Sequence, residues 1–507
     1  MTRSLLLIAL FAFAGSGMAQ KKMNPLPFAK SITAEELKKH LYIVAGDEMA
    51  GRETATEGQR KAAAYIENYF KSIGLMPAND GKFSMMYSVY QDSMVRAGIE
   101  VNGKQFEYNK DFTVNMNSVY SATIRGNDIV FVGYGISDST RDDYKGIDAR
   151  GKIVMVLQGI PPSTGNNNRR NPGFAVQEAA QKHGAAAILF VQSNFPRRAM
   201  GNLGFQTVNA FKSNIYPNTY VISENIAREI MGDDYTAAAE AMKAGNPQAK
   251  LYHADIMLDF QKELLKLESS NVLGYIEGTD KKDEYLIITA HYDHLGKRGD
   301  SVIFYGADDD GSGTVSVLEL AEAFVKAKQA GKGPRRSIVF MAVSGEEKGL
   351  WGSAYYGENP SFPLEKTTAN LNIDMIGRID PKRTNGDSTN YVYVVGDDKL
   401  STDLRPISEA MNKKYTKMEL DYKYNDPADT ERIYYRSDHY NFARKGVPII
   451  FYFNGTHADY HRPTDTPDKI NYELMEKRAK LVFYTAWEMA NRNDMLKRDL
   501  KLDIPAR

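Results

Sequence analysis

SIVFMAVSGEEKGLWGS, residues 337–353, runs apolar from Ile338 to Val343 and then delivers two adjacent carboxylates, Glu346 and Glu347. An apolar run without alternation is the pattern of a strand covered on both faces. Charge placed directly after such a strand lies at its carboxyl end, where ligands bind in open parallel sheets. Paired acids in that place are ordinarily solvated loop charge. Neighbouring stretches must decide.

From about residue 268 onward, strand and helix patterns alternate. EYLIITA leads into His291, GTVSVLELAEAFVKA has helical periodicity, and ANLNIDMIG and GVPIIFYF read as further strands. LMEKRAKLVFYTAWEMA closes as a helix with Met475, Ala479, Val482, Ala486 and Met489 on one face. This predicts an α/β domain with a mostly parallel central sheet flanked by helices. Upstream, Ala62, Ile66, Tyr69, Phe70 and Ile73 recur at helical spacing, with Gly74 as the stop. Between about 85 and 262 the texture changes to short β-type runs (FTVNMNSVYSATI, DIVFVGYGI, GKIVMVLQG), with one helix-like interruption, GFAVQEAAQKHG. The loop PPSTGNNNRRNPG reads as exposed. The expected division is a leader at 1–19, a first part of the main domain at 20–90, a β-rich insertion at 91–262 and the remainder at 263–507.

Composition narrows the function. Lys plus Arg (64) equals Asp plus Glu (64), so no basic excess points to nucleic acid or to a polybasic membrane anchor. Arg3, the apolar run Leu5–Phe13 and small residues ending at Ala19 match a secretory leader. That run is shorter than the roughly 20 apolar residues of a spanning helix, so the expected product is exported, periplasmic or secreted, without a membrane anchor. The chain has no cysteine. Thiolate zinc sites and cysteine nucleophiles are thereby excluded, and any metal must be held by His and carboxylate.

Five motifs supply such groups: AHYDHLG (His291, Asp293, His294), GADDDGSG (Asp308, Asp309, Asp310), SGEE (Glu346, Glu347), LNIDMIGR (Asp374) and DYHRPTDT (His461). Each alone is weak. His-x-Asp is common on surfaces, and the aspartate triplet can simply cap the helix beginning near Gly313. Together they place acids or imidazoles at the ends of successive strands. Carboxylates converging on one crevice repel and lose ionisation unless cations join them. His291, Asp309, Glu347, Asp374 and His461 as ligands carry three negative charges, which two divalent cations and one hydroxide cancel. Mixed nitrogen and oxygen donors fit catalytic zinc, with cobalt or manganese as substitutes. Asp309, central and flanked by glycines, is the best bridging ligand. Glu346, beside the ligand Glu347, is placed to take a proton from water and hand it to a leaving amine. Asp293 can accept the second imidazole N–H of His291.

On these motifs, the chain resembles the co-catalytic zinc exopeptidases, a family that includes bacterial leucyl-type aminopeptidases and glutamate carboxypeptidase. The resemblance covers the helix near 55–75 and most of 268–490. It implies two Zn2+ ions, one on His291 and Asp374 and the other on Glu347 and His461, with Asp309 bridging, Glu346 as base and Asp293 as orienter. It also implies a cis peptide between Asp309 and Asp310, and a supporting role for Ser437, Asp438 and His439 in RSDHYNF. The stretch from about 125 to 250 is similar to the protease-associated domain inserted in some of these enzymes, through VFVGYGI, DDYKGIDARGKIVMVL and GAAAILFV. The implied activity is an aminopeptidase acting on peptides with a free amino terminus. A carboxypeptidase or dipeptidase on the same site would need a basic clamp from Arg436, Arg378, Arg169 or Arg170. A mono-zinc glutaminyl cyclase and a binding protein on the same fold are further alternatives. Side-chain preference and oligomeric state are not legible in the sequence.

Overall fold

The computed structural model describes residues 24–159, 172–196, 199–211 and 214–502. The leader expected at 1–19 and the arginines Arg169 and Arg170 lie outside the described residues. Among the described residues no helix is long and apolar enough to cross a membrane. The chain forms two compact units: one combines the chain up to Met85 with the chain from Ser270, and the other is Met86–Ser269.

In the first unit, α1 (Ala34–Val44) and α2 (Glu57–Ile73) precede the sheet. Thr33 and Thr56 cap them, their hydroxyls accepting the N–H groups of Glu36 and Gln59. Gly74 ends α2 in the left-handed conformation the sequence assigns to it. The sheet strands are β1 (Lys281–His291), β2 (Arg336–Val343), β3 (Thr367–Ile373), β4 (Tyr391–Val395), β5 (Glu419–Asp421) and β6 (Ile449–Phe453). Their order is β5-β4-β6-β3-β1-β2, and residues 272–276 close the far edge antiparallel to β2. β1 pairs parallel with both β2 and β3, and β3 pairs parallel with β6. β4 runs against β6, and β5, paired parallel with β4, shares its direction. The mostly parallel α/β sheet expected from the sequence is present.

Every residue of β2, β3 and β6 is buried, which explains the absence of alternation in the sequence. One face of the sheet presents Leu286, Ile288, Phe340, Leu371 and Ile450 to α1, α2, α3 (Gly313–Gln329) and α4 (Tyr472–Asn491). The other presents Ile287, Val339, Met341, Ile449 and Phe451 to a second apolar cluster that includes Tyr356, Tyr434 and Phe442. Register then aligns the strand ends: His291 lies opposite Val343 on β2, and Asn372 on β3 lies opposite Phe451 on β6. The polar residues that follow these positions emerge side by side.

Among the described residues, the second unit is β-rich with three helices. Strands Ala122–Phe131, Ile153–Leu157, Ala187–Val191 and Asn218–Ile222 run parallel in that order. Residues 250–260 and Phe112–Val114 flank them antiparallel. Helix Pro172–Lys182, the helix-like interruption in the sequence, covers one face through Val176, Ala179 and Ala180. Helix Glu224–Met231 covers the other through Ile226, Ala227 and Ile230.

Leu371 sits fully buried on the central strand β3. Leu371→Ala is expected to cost about 2–5 kcal/mol of unfolding free energy, through lost transfer energy and a cavity that a rigid sheet cannot close. Denaturant titration checks this. A loss below about 1 kcal/mol would contradict the packing described.

Candidate metal centre

β1, β2 and β3 end at His291, Val343 and Ile373, and the chain after each carries a site residue. His291 closes β1, Glu346 and Glu347 follow β2, Asp374 follows β3, and the segment after β6 brings His457 and His461. Asp309 arrives from the turn that leads into α3, where it and Asp310 leave helical geometry. The peptide between them is cis, as the resemblance implies.

These groups meet. His291 Nε2 lies 3.2 Å from Asp309 Oδ1 and 3.6 Å from Asp374 Oδ1. His461 Nε2 lies 3.0 Å from Asp309 Oδ2 and 3.1 Å from Glu347 Oε2. Asp309 thus shows one oxygen to each imidazole. The structure brings all five sequence-predicted ligands into one cluster. Among the described residues, no hydrogen bond satisfies His291 Nε2, either ring nitrogen of His294, Asp309 Oδ2 or Glu347 Oε1, although all are buried. Buried polar atoms are rarely left unpaired, and the cost is largest for charged groups. Nitrogen and oxygen donors converging in pairs about a shared carboxylate fit divalent cations, which resolve both the missing partners and the repulsion.

The aspartate triplet divides its labour. Asp308 accepts Gly377 N–H at 2.7 Å and pairs with His457 Nε2 at 3.1 Å. Asp310 accepts the N–H groups of Gly313 (2.8 Å), Met375 (3.0 Å) and His291 (3.2 Å), tying α3 to the ends of β3 and β1. The helix-capping reading is therefore right for Asp310, and the ligand reading fits Asp309. Gly313 is required here, because a Cβ on it would come within 2.4 Å of the Asp310 carboxylate.

The atom facing His291 Nδ1 is the main-chain carbonyl of Asp293, at 3.1 Å, while the Asp293 carboxylate stands 3.7 Å away. That carboxylate accepts Thr54 Oγ1–H at 2.7 Å and Glu346 N–H at 3.2 Å, so it positions the turn that carries Glu346. Glu346 itself is largely buried, with Oε2 at 3.9 Å from His291 Nε2. Burial pushes its carboxyl well above the ordinary range, against the pull of His291, and nearby Glu347 and Asp374 add to the rise.

Ser437 supports the site by donating to Asp374 Oδ2 at 2.6 Å, and it accepts from Asn372 at 2.9 Å. Asp438 accepts Ser353 Oγ–H. His439 faces the Tyr434 carbonyl at 2.7 Å, and burial lowers its pKa to about 3, so it remains neutral. Two residues that carry much of the geometry gave no sequence signal. Asp465 accepts the N–H groups of Asp308 and Asp309. Arg52, fully buried, donates to the carbonyls of Val44, Tyr292, Tyr305 and Gly306. Burial lowers the Arg52 pKa to about 10 while Asp293, Asp309 and Asp310 oppose the fall, so it stays a cation at neutral pH.

A pocket opens onto these groups, lined by Asp309, Glu346, Asp374, Arg436, Tyr460 and an apolar wall that includes Met375, Ile433, Phe451 and Phe453. Of the arginines considered as carboxylate clamps, Arg436 lines the pocket and donates to Tyr460 OH at 3.2 Å. Arg378 is instead paired with Asp459 at 2.9 Å.

Residues 271–486 match the model of "Peptidase family M28". A "Probable leucine aminopeptidase" from Arthroderma otae is 31% identical over 234 residues, covering 45% of this chain and 60% of that protein. The chain thus spans little more than half the length of that relative. An aminopeptidase from Aneurinibacillus sp. strain AM-1 has the same fold, at 19% identity and TM-score 0.54, covering 96% of this chain and 99% of that one. So has a zinc aminopeptidase from Bacillus subtilis, at 18% identity and TM-score 0.52, covering 93% and 99%.

Arg52→Met removes four charge-assisted hydrogen bonds and leaves buried carbonyls unpaired. It is expected to lower unfolding free energy by about 3–5 kcal/mol, the cost typical of breaking a buried ionic network. Urea titration measures it. A loss within about 1 kcal/mol would mean that Arg52 does not hold these turns together.

Proposed function

We propose that this chain, whose residues 271–486 match the model of peptidase family M28, is an exported zinc aminopeptidase that hydrolyses the first peptide bond of peptides with a free amino terminus. The observation that carries the reading is Asp309 with one oxygen toward His291 and the other toward His461. His291, Asp309 and Asp374 would hold one zinc, and Glu347, Asp309 and His461 the other. Two zinc ions, when bound, polarise a carbonyl and lower the pKa of water.

The remaining work falls to side chains. Glu346, with its carboxyl tuned upward by burial, accepts the proton of the attacking water and delivers it to the departing amine nitrogen. Asp293 fixes the Glu346 turn through the backbone N–H, so the base is held against the pocket. Carboxylates of Asp374 and Glu346 at the pocket suit a substrate ammonium. The apolar wall of Met375, Ile433, Phe451 and Phe453 suits an apolar side chain on the amino-terminal residue. Export rests on the leader pattern at 1–19. The second reading, a carboxypeptidase on the same centre, has one observation in favour: Arg436 lines the pocket.

Leucine p-nitroanilide should be cleaved, and an N-acetylated dipeptide should not; the reverse would establish the carboxypeptidase reading. Glu346→Gln should lower kcat by about 100-fold or more, the contribution usual for a general base, while metal analysis still finds two zinc ions per chain. Wild-type turnover in that variant would remove Glu346 as the base.

A further inference from the structure

A third imidazole stands at the centre. His294, three positions after His291, is fully buried, and neither of its ring nitrogens has a hydrogen bond among the described residues. Its Nδ1 lies 2.7 Å from Glu347 Oε1 and 3.8 Å from Asp309 Oδ2. These three residues offer donor atoms within 4.8 Å of one another. Its ring stands edge-on to His461, with centroids 5.9 Å apart.

The ring is held in that pose. The His294 N–H donates to the Arg52 carbonyl at 3.3 Å. Gly306, in the left-handed region at φ 56, lies against the imidazole so closely that a Cβ there would come within 2.4 Å of His294 Cγ. The first glycine of GADDDGSG therefore makes room for an imidazole, and the imidazole points at the Glu347 half of the cluster.

We propose that His294 is a further ligand of the ion held by Glu347 and His461. The proposal rests on the two-ion reading above and deepens it. The two halves then differ in kind. His291, Asp309 and Asp374 give one ion a single imidazole and leave positions open. His294, His461, Asp309 and Glu347 give the other ion two imidazoles and a full set of four protein donors, the arrangement of a closed site. The closed half should fill first and release its ion last.

Chelator-stripped full-length protein, reloaded with one equivalent of zinc, allows a direct test by X-ray absorption at the zinc edge together with calorimetric titration. The expected spectrum has two imidazoles per zinc, falling to one in His294→Ala. The tighter of two zinc affinities should weaken by about 100-fold or more, at the upper end of what lost support to a metal costs. His294→Asn, closer in size, serves if the alanine variant does not fold and is expected to give the same loss. Wild-type uptake of two zinc ions with one imidazole each, unchanged in both variants, would overturn the assignment of His294 alone. Uptake of fewer than two ions by the wild type would instead overturn the two-ion reading beneath it.

Discussion

Acid crowding is the constraint on which the structure turns. Asp309, Glu347 and Asp374 are buried within a few ångströms of His291 and His461, and Glu346 stands beside them. Uncompensated negative charge of this density in a protein interior is costly. Imidazoles relieve part of it, and among the described residues His291 Nε2, Asp309 Oδ2 and Glu347 Oε1 remain without a hydrogen bond. A fold that tolerates such a cluster must both hold the acids together and leave the space between them for cations.

The holding is done by backbone hydrogen bonds from chain segments far apart in sequence. Arg52 joins the end of α1 to the turn after β1 and to the segment before Asp308. Asp310 ties β1, β3 and α3 through three N–H groups. Asp465 pins the same turn from the other side. These groups do for the acidic turn what sheet register does for the strand ends. They fix Asp309 between two imidazoles and keep the carboxylates from relaxing apart.

Most of the sheet was legible because β2, β3 and β6 are buried on both faces, which forces unbroken apolar runs ending abruptly in polar residues. Glu347 and Asp374 were legible for the same reason, since charge directly after a buried strand is conspicuous, while Asp309 showed in the glycine-flanked acidic turn before α3. Arg52 and Asp465 were not, because their partners are backbone groups that leave no trace in residue type. Asp293 faces His291 with both its carbonyl and, at 3.7 Å, its carboxylate, and the further service of that carboxylate to Thr54 and Glu346 leaves no mark in residue type. His294 stood in the quoted motif without a task, since only coordinates reveal that its ring points at Glu347.

Anomalous diffraction at the zinc absorption edge tests the central claim most directly. Crystals of the metal-loaded protein should show two peaks, one on each side of the Asp309 carboxylate. A single peak, or two that do not share Asp309, would contradict the account.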